Sequence, residues 1–271
     1  AYLRAVTNSA IALGSVAGGA ALVIDTRAAY LAVFLFAGVL AGLAAWNGTR
    51  LPHLPPYRRP AGEPRLAVLR DLPFVAVMLS TSVFSMHFVA AELGIALFVS
   101  QRTQAPQVMV AVLLLVNTVA VAALQVRLSR SAESVATGGR ALVRGGALIA
   151  AGFTLIGLAD GRAPWVAVTV LLAGALVHVV GEMLGSGGQW ALQMGLAPHE
   201  KQGQYQGFAS LGFALMHVIG PGIVTLLCVH GGTLGWVAMG TLILASGVAA
   251  QALGRWALAN RAAYGVHTHS G

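Results

Sequence analysis

The sequence predicts an all-α bundle of helices that cross a membrane, on three observations. Of 271 residues 57% are apolar and only 9% charged, with a mean hydropathy of +0.79. A soluble domain carries about 25% charged residues. The apolar residues are grouped in eight continuous runs, most of about 20 residues, the length that spans a bilayer as helix. The cations stand in the gaps between runs. Together these exclude a soluble globular domain, a disordered tail and, with Cys228 alone in an apolar run, a disulfide scaffold.

The runs cover 5–24, 28–46, 73–100, 107–126, 143–159, 165–184, 206–228 and 234–254. Each is too long and too evenly apolar for a barrel strand, which alternates in polarity over about ten residues. The first holds Gly14-Ser-Val-Ala-Gly18-Gly19, a spacing that lets helices approach closely. Between the second and third lies 47–72, the longest polar stretch, with prolines at 52, 55, 56, 60 and 64. Such a segment is extended and helix-breaking, and is expected to link two groups of helices. Pro73 then suits the first turn of the third helix, where no backbone donor is required. The gap at 127–144 is expected as a loop carrying Arg127, Arg130 and Arg140, and Pro221 as a kink in the seventh helix.

Net charge is +8. Sorted by alternate gaps, 13 of the 16 cations fall on one side and three (Arg27, Arg102, Arg162) on the other. Lys and Arg are retained on the cytoplasmic side, so both ends of the sequence are expected there. The same sorting accounts for the basic balance without a nucleic-acid partner. The opening on Ala, straight into an apolar run, reads as part of a longer chain. Runs one and two also match seven and eight at an offset of 203, pairing Tyr2 with Tyr205 and Ala17-Gly18-Gly19 with Gly220-Pro221-Gly222. Parallel repeats of this kind build one large class of transporters.

Two acids fall inside runs, Glu92 and Glu182. A charge at the centre of a membrane is costly and faces a bundle interior or a watery cavity. On the sixth run Gly174, His178, Gly181, Glu182, Gly185 and Gln189 share one helical face, and the i, i+4 spacing brings His178 within reach of Glu182. His and Glu together can pass a proton at physiological pH. On the third run Thr81, Ser85, Phe88 and Glu92 form a second stripe; His87 points elsewhere and is expected to pack or to hydrogen-bond between helices. On the seventh, Gln206, Ser210, His217 and Pro221 share a face. The expected proton-coupling and substrate-cavity residues are thus Glu182, His178, Glu92, His217, Gln189, Ser85 and Thr81, with Gly14, Gly18, Gly19, Gly220 and Pro221 serving packing or gating. No zinc-protease, nucleophile-elbow, Walker or paired-cysteine motif occurs. His178 and Glu182 form a lone HxxxE without a third ligand, so no metal and no cofactor are expected.

The stretch from Gly181-Glu182 through Gln189-Trp190 to LAPHEKQGQYQG (196–207) and Gly220-Pro221 resembles spans ten and eleven of the major facilitator superfamily, in particular efflux-type permeases of actinobacteria. Arg4-x-x-x-Asn8 with LGSVAGG (13–19) is similar to span five, although Ala17 stands near the place where that family's antiporter motif has Pro. The resemblance implies a rocking carrier of twelve helices. Residues 1–46 would then be the last two helices of the N-terminal half, 47–72 the central linker, 73–254 the six-helix C-terminal half and 255–271 a cytoplasmic tail. Four N-terminal helices of the same chain would be missing. It further implies proton-coupled efflux of a small molecule across the plasma membrane by a monomer, with protons and the lipid bilayer as the other partners. A non-transporting sensor or scaffold on the same fold, or a membrane enzyme, are the alternatives.

Overall fold

A computed structural model describes residues 24–52, 66–129 and 132–264, with Ala10, Gly14, Ala17, Gly18, Ala20 and Ala21 besides. The chain divides into two compact units, 2–61 and 62–271. Among the described residues there is no strand, and seven helices are long and apolar enough to cross a membrane. The first expected run, 5–24, falls largely outside the described residues, as do Gly19 and Tyr2.

In the first unit, α1 spans Arg27–Gly48 and buries no side chain within it. Thr26 caps it by accepting from the Ala29 amide, and Asp25, at φ 47°, accepts from the Tyr30 hydroxyl. A Cβ at Gly14 or Gly18 would meet nothing within 4 Å. The close helix approach expected there is therefore not made by the described residues.

The second unit holds six long helices. α2 (Leu72–Arg102) is interrupted at Ser85 and contains a π-helical turn at Ala90–Gly94. Asp71 caps it through the Phe74 amide, with Pro73 in the first turn as expected. α3 is Val108–Ser129, α4 Val135–Gly157, α5 Pro164–Leu196, α6 Gln202–Val224 and α7 Gly232–Asn260. A π-helical turn, Thr225–His230, closes α6 four residues after Pro221. Pro221 lacks the amide that would bond the preceding turn, and α6 nevertheless runs through it.

Two boundaries correct the sequence reading. α4 begins at Val135, not 143, because Ser134 and Thr137 form a reciprocal capping box. Arg140 and Arg144, expected in a loop, therefore stand in its second and third turns. Arg127 likewise lies in the last turn of α3, and Arg130 lies outside the described residues. Second, α5 continues twelve residues past 184. Its Gly185-Ser-Gly-Gly-Gln189 stretch is weakly hydropathic but packs tightly, with all but Gln189 buried.

What places α5 is a pair of glycine rows. Gly138, Gly145 and Gly152 on α4 face Gly188, Gly181 and Gly174 on α5 in antiparallel order. A Cβ on Gly145 would meet the Gly181 carbonyl oxygen at 2.7 Å, and one on Gly181 the Gly145 carbonyl at 2.7 Å. The same reciprocity joins Gly152 and Gly174, again at 2.7 Å. In a membrane, where lipid tails are as apolar as leucine, such backbone approach is a principal source of helix association. The neighbouring atoms are backbone and cannot give way. Gly145→Ala should destabilise the unit by about 1–3 kcal/mol, read as a lowered unfolding midpoint in detergent. α4 also packs on α7, α7 on α2, and α3 on α5 through Val121, Val179 and Met183. Phe74, Phe84, Phe98, Phe153, Leu171 and Trp236 fill the core.

Candidate functional site

The glycine rows fix the face of α5 that carries its polar residues. Glu182, one residue past Gly181, keeps 14% of its side chain exposed. Its Oε2 accepts a 2.9 Å hydrogen bond from Asn117 Nδ2 on α3 and lies 3.9 Å from His178 Nδ1. His178 is 2% exposed and stacks on Phe153 of α4, centroids 5.0 Å apart and nearly parallel. Its Nε2 is buried with no hydrogen-bond partner.

Against it stands His87 of α2, fully buried, with ring centroids 5.5 Å from His178, 5.4 Å from Phe84 and 4.0 Å from Phe88. One ligand-capable atom each of His87, His178 and Glu182 lie within 4.8 Å of one another. The HxxxE pair thus has a third ligand-capable residue beside it, the imidazole of His87, which corrects the expectation of a lone pair. A tetrahedral zinc ion bonded at 2.0–2.2 Å draws its ligands to about 3.4 Å. These groups are spread wider than that. As placed they form a set of proton donors and acceptors, walled by aromatic rings, rather than a closed coordination sphere.

A second polar junction lies one to two turns along α5. Gln189 Nε2 donates to the Thr81 carbonyl at 2.8 Å and to Ser85 Oγ at 2.7 Å. Ser85 Oγ in turn donates to the Thr81 carbonyl at 3.0 Å, and Thr81 Oγ1 to Met78. The structure therefore joins the two stripes that the sequence shows separately, and does so where α2 is interrupted. Gln189 adds a donor to the Thr81 carbonyl, which already accepts the Ser85 amide at 3.0 Å.

The remaining expected residues stand apart. Glu92 is exposed in the π-helical turn of α2 and makes no contact with Glu182. Its stripe assumed an uninterrupted helix, whereas α2 is interrupted at Ser85 and Glu92 lies within the π turn, exposed while Thr81 and Ser85 are buried. His217 is exposed on α6, its Nδ1 3.1 Å from the Phe213 carbonyl and its ring on Phe213 at 4.3 Å. Gly220 does bring helices together: a Cβ there would meet Val89 at 3.1 Å.

Two features escaped the sequence reading. Asn117 is an amide in the middle of its apolar run, a signal comparable to an intramembrane acid. The other is a buried ion pair between Asp71, at the start of α2, and Arg261, just past α7. Tyr205 of α6 donates its hydroxyl to the same carboxylate at 3.0 Å. At the opposite end of the unit Arg102 pairs with Asp160 through two hydrogen bonds, of 3.1 and 2.7 Å, both residues part-exposed.

Seven apolar helices, with carboxylate, imidazole and amide groups gathered in the interior of one six-helix unit, define a multi-pass α-helical membrane protein with a polar centre. The family model of the Major Facilitator Superfamily matches residues 1–221. This chain belongs to that superfamily, whose members are secondary transporters rather than enzymes. Neither the curated proteins nor the solved structures offer a match.

Proposed function

We propose that this protein moves a small molecule across the plasma membrane by alternating access, as a proton-coupled efflux carrier, and that Glu182 carries the coupling proton. The observation behind the reading is the cluster itself. A partly accessible carboxylate is held by Asn117 on one side, with His178 and His87 on the other, between helices that approach backbone to backbone.

The mechanism follows from the donors present. Ionised Glu182 accepts the Asn117 hydrogen bond. Protonated Glu182 can donate its own hydrogen, and His178 Nδ1 is an imidazole acceptor for it once the 3.9 Å gap narrows. A carbonyl-side network at Gln189, Ser85 and Thr81 gives uncharged polar groups for a substrate to exchange with. In this reading residues 73–254 act as the moving C-terminal half, 47–72 as the linker between halves, and both ends face the cytoplasm. Asn117 joins the expected coupling residues, while Glu92 and His217 would line the path only in another state of the cycle.

The test is a panel of sugars and cationic amphiphiles presented to proteoliposomes of the full-length protein. An inward proton gradient should drive at least one compound outward against its concentration, and a protonophore should end that movement. Flux that ignores the gradient would count against proton coupling. Absence of any flux across the panel, together with indifference to changes at Glu182, would favour a sensor or scaffold.

A further inference from the structure

Outside the polar centre, the basic face of α4 opens on a cavity of about 190 Å³ lined by Thr137, Arg140, Ala141, Arg144 and Leu184. From this cavity we infer that the protein binds the phosphate of an anionic phospholipid between α4 and α5.

Arg140 and Arg144 are four residues apart, so their guanidinium groups leave the same face of the helix. Both are exposed, and among the described residues neither has an ion pair or hydrogen bond. That is unusual company for Arg144 to lack. At 1.5 Å per residue it stands about 14 Å along α4 from Val135. The headgroup layer is about 5–8 Å deep on each side of the hydrocarbon. The facing residues agree with this depth: Gly145, next in sequence, abuts Gly181 and Gly185 in the middle of the α4–α5 crossing. An unpaired cation at this level either snorkels to the interface or meets an anion drawn in from it.

The walls favour the second outcome. Ala141 and Leu184 give the lining an apolar part, suited to a glycerol or the first methylenes of an acyl chain. Arg140 and Arg144 in the same lining offer planar guanidinium forks that match phosphate oxygens in pairs. Nothing acidic lines the cavity to receive the ammonium of a zwitterionic headgroup. A phosphatidylglycerol-type headgroup, with net negative charge and no amine, therefore fits better than phosphatidylcholine. Basic pockets between membrane helices are a recurring form of lipid recognition. The pocket is independent of the coupling reading at Glu182, since it requires neither transport nor protonation.

The experiment is native mass spectrometry of the full-length protein released from detergent containing equal amounts of phosphatidylglycerol and phosphatidylcholine. The unaltered protein should retain phosphatidylglycerol over phosphatidylcholine by about tenfold. The double variant Arg140→Gln with Arg144→Gln should bring the ratio near unity. Arg255→Gln, which removes an exposed cation near the end of α7 that has no ion pair among the described residues, should leave the ratio as it was. A preference that survives the double variant overturns the assignment. So does a loss of equal size in Arg255→Gln, which would make the effect one of bulk charge. Displacement of the lipid by millimolar inorganic phosphate would assign the pocket to a soluble anion instead.

Discussion

Glu182→Gln is expected to reduce gradient-driven substrate movement to the level of protein-free liposomes while leaving expression and membrane insertion unchanged. The amide keeps the size of the carboxyl group and can still meet Asn117. It cannot take up or release a proton between pH 4 and 9, so the cycle loses the charge change that links rocking to the gradient. Movement of substrate down its own gradient should persist, since binding groups at Gln189, Ser85 and Thr81 are untouched. That split separates loss of coupling from loss of structure. His178→Gln should be intermediate. It removes the neighbouring imidazole stacked on Phe153 yet leaves the carboxylate in place. Coupled movement at the unaltered rate in Glu182→Gln would sink the assignment.

The second large effect concerns stability. Asp71 is 0% exposed and Arg261 3%, and Asp71 supplies the only charge within reach of that guanidinium among the described residues. Arg261 Nε and Nη1 are buried and have no other hydrogen-bond partner. Asp71→Asn leaves a buried, uncompensated cation, which costs about 3–5 kcal/mol. It also weakens the cap on α2 and the Tyr205 hydrogen bond, so the starts of α2 and α6 and the end of α7 loosen together. The unfolding midpoint of the purified protein should fall by on the order of 10 °C. Combining Asp71→Asn with Arg261→Met should recover a large part of that loss, because neither charge then remains buried. The exposed Arg102–Asp160 pair provides the contrast: breaking it should cost no more than about 1 kcal/mol. If both pairs prove equally weak, the burial argument for Asp71 fails.

The membrane helices were legible because burial in lipid writes itself directly into composition, and the runs predict α1 to α7 to within a few residues at most ends. The exceptions have physical causes. Hydropathy fails at the start of α4, where Gly138, Gly139, Arg140 and Arg144 lower it, while the helix is set by the Ser134–Thr137 cap. It fails again past 184 in α5, where glycines that score as neutral are the contact itself.

The candidate site was half legible. Periodicity on one helix pairs His178 with Glu182 and finds Gln189 on the same face. It cannot say what another helix brings, and so His87 and Asn117 appear only in three dimensions. Nor can it reveal that Gly174, Gly181 and Gly188 have a matching row on α4. Periodicity also assumes an unbroken helix. The interruption at Ser85 and the π turn at Ala90–Gly94 violate that assumption, which is why Glu92 does not reach the cluster.

The claim that Glu182 is the proton carrier can be tested without knowing the substrate. Infrared difference spectra of the full-length protein in lipid, taken between acid and alkaline buffer, report the C=O stretch of a carboxylic acid that gains or loses its proton. The unaltered protein should show such a band from a non-aqueous carboxyl, Glu92→Gln should keep it, and Asn117→Ala should shift it by removing the hydrogen bond to Oε2. Glu182→Gln should erase it. A band that remains in Glu182→Gln would place the titrating carboxyl elsewhere and contradict the account.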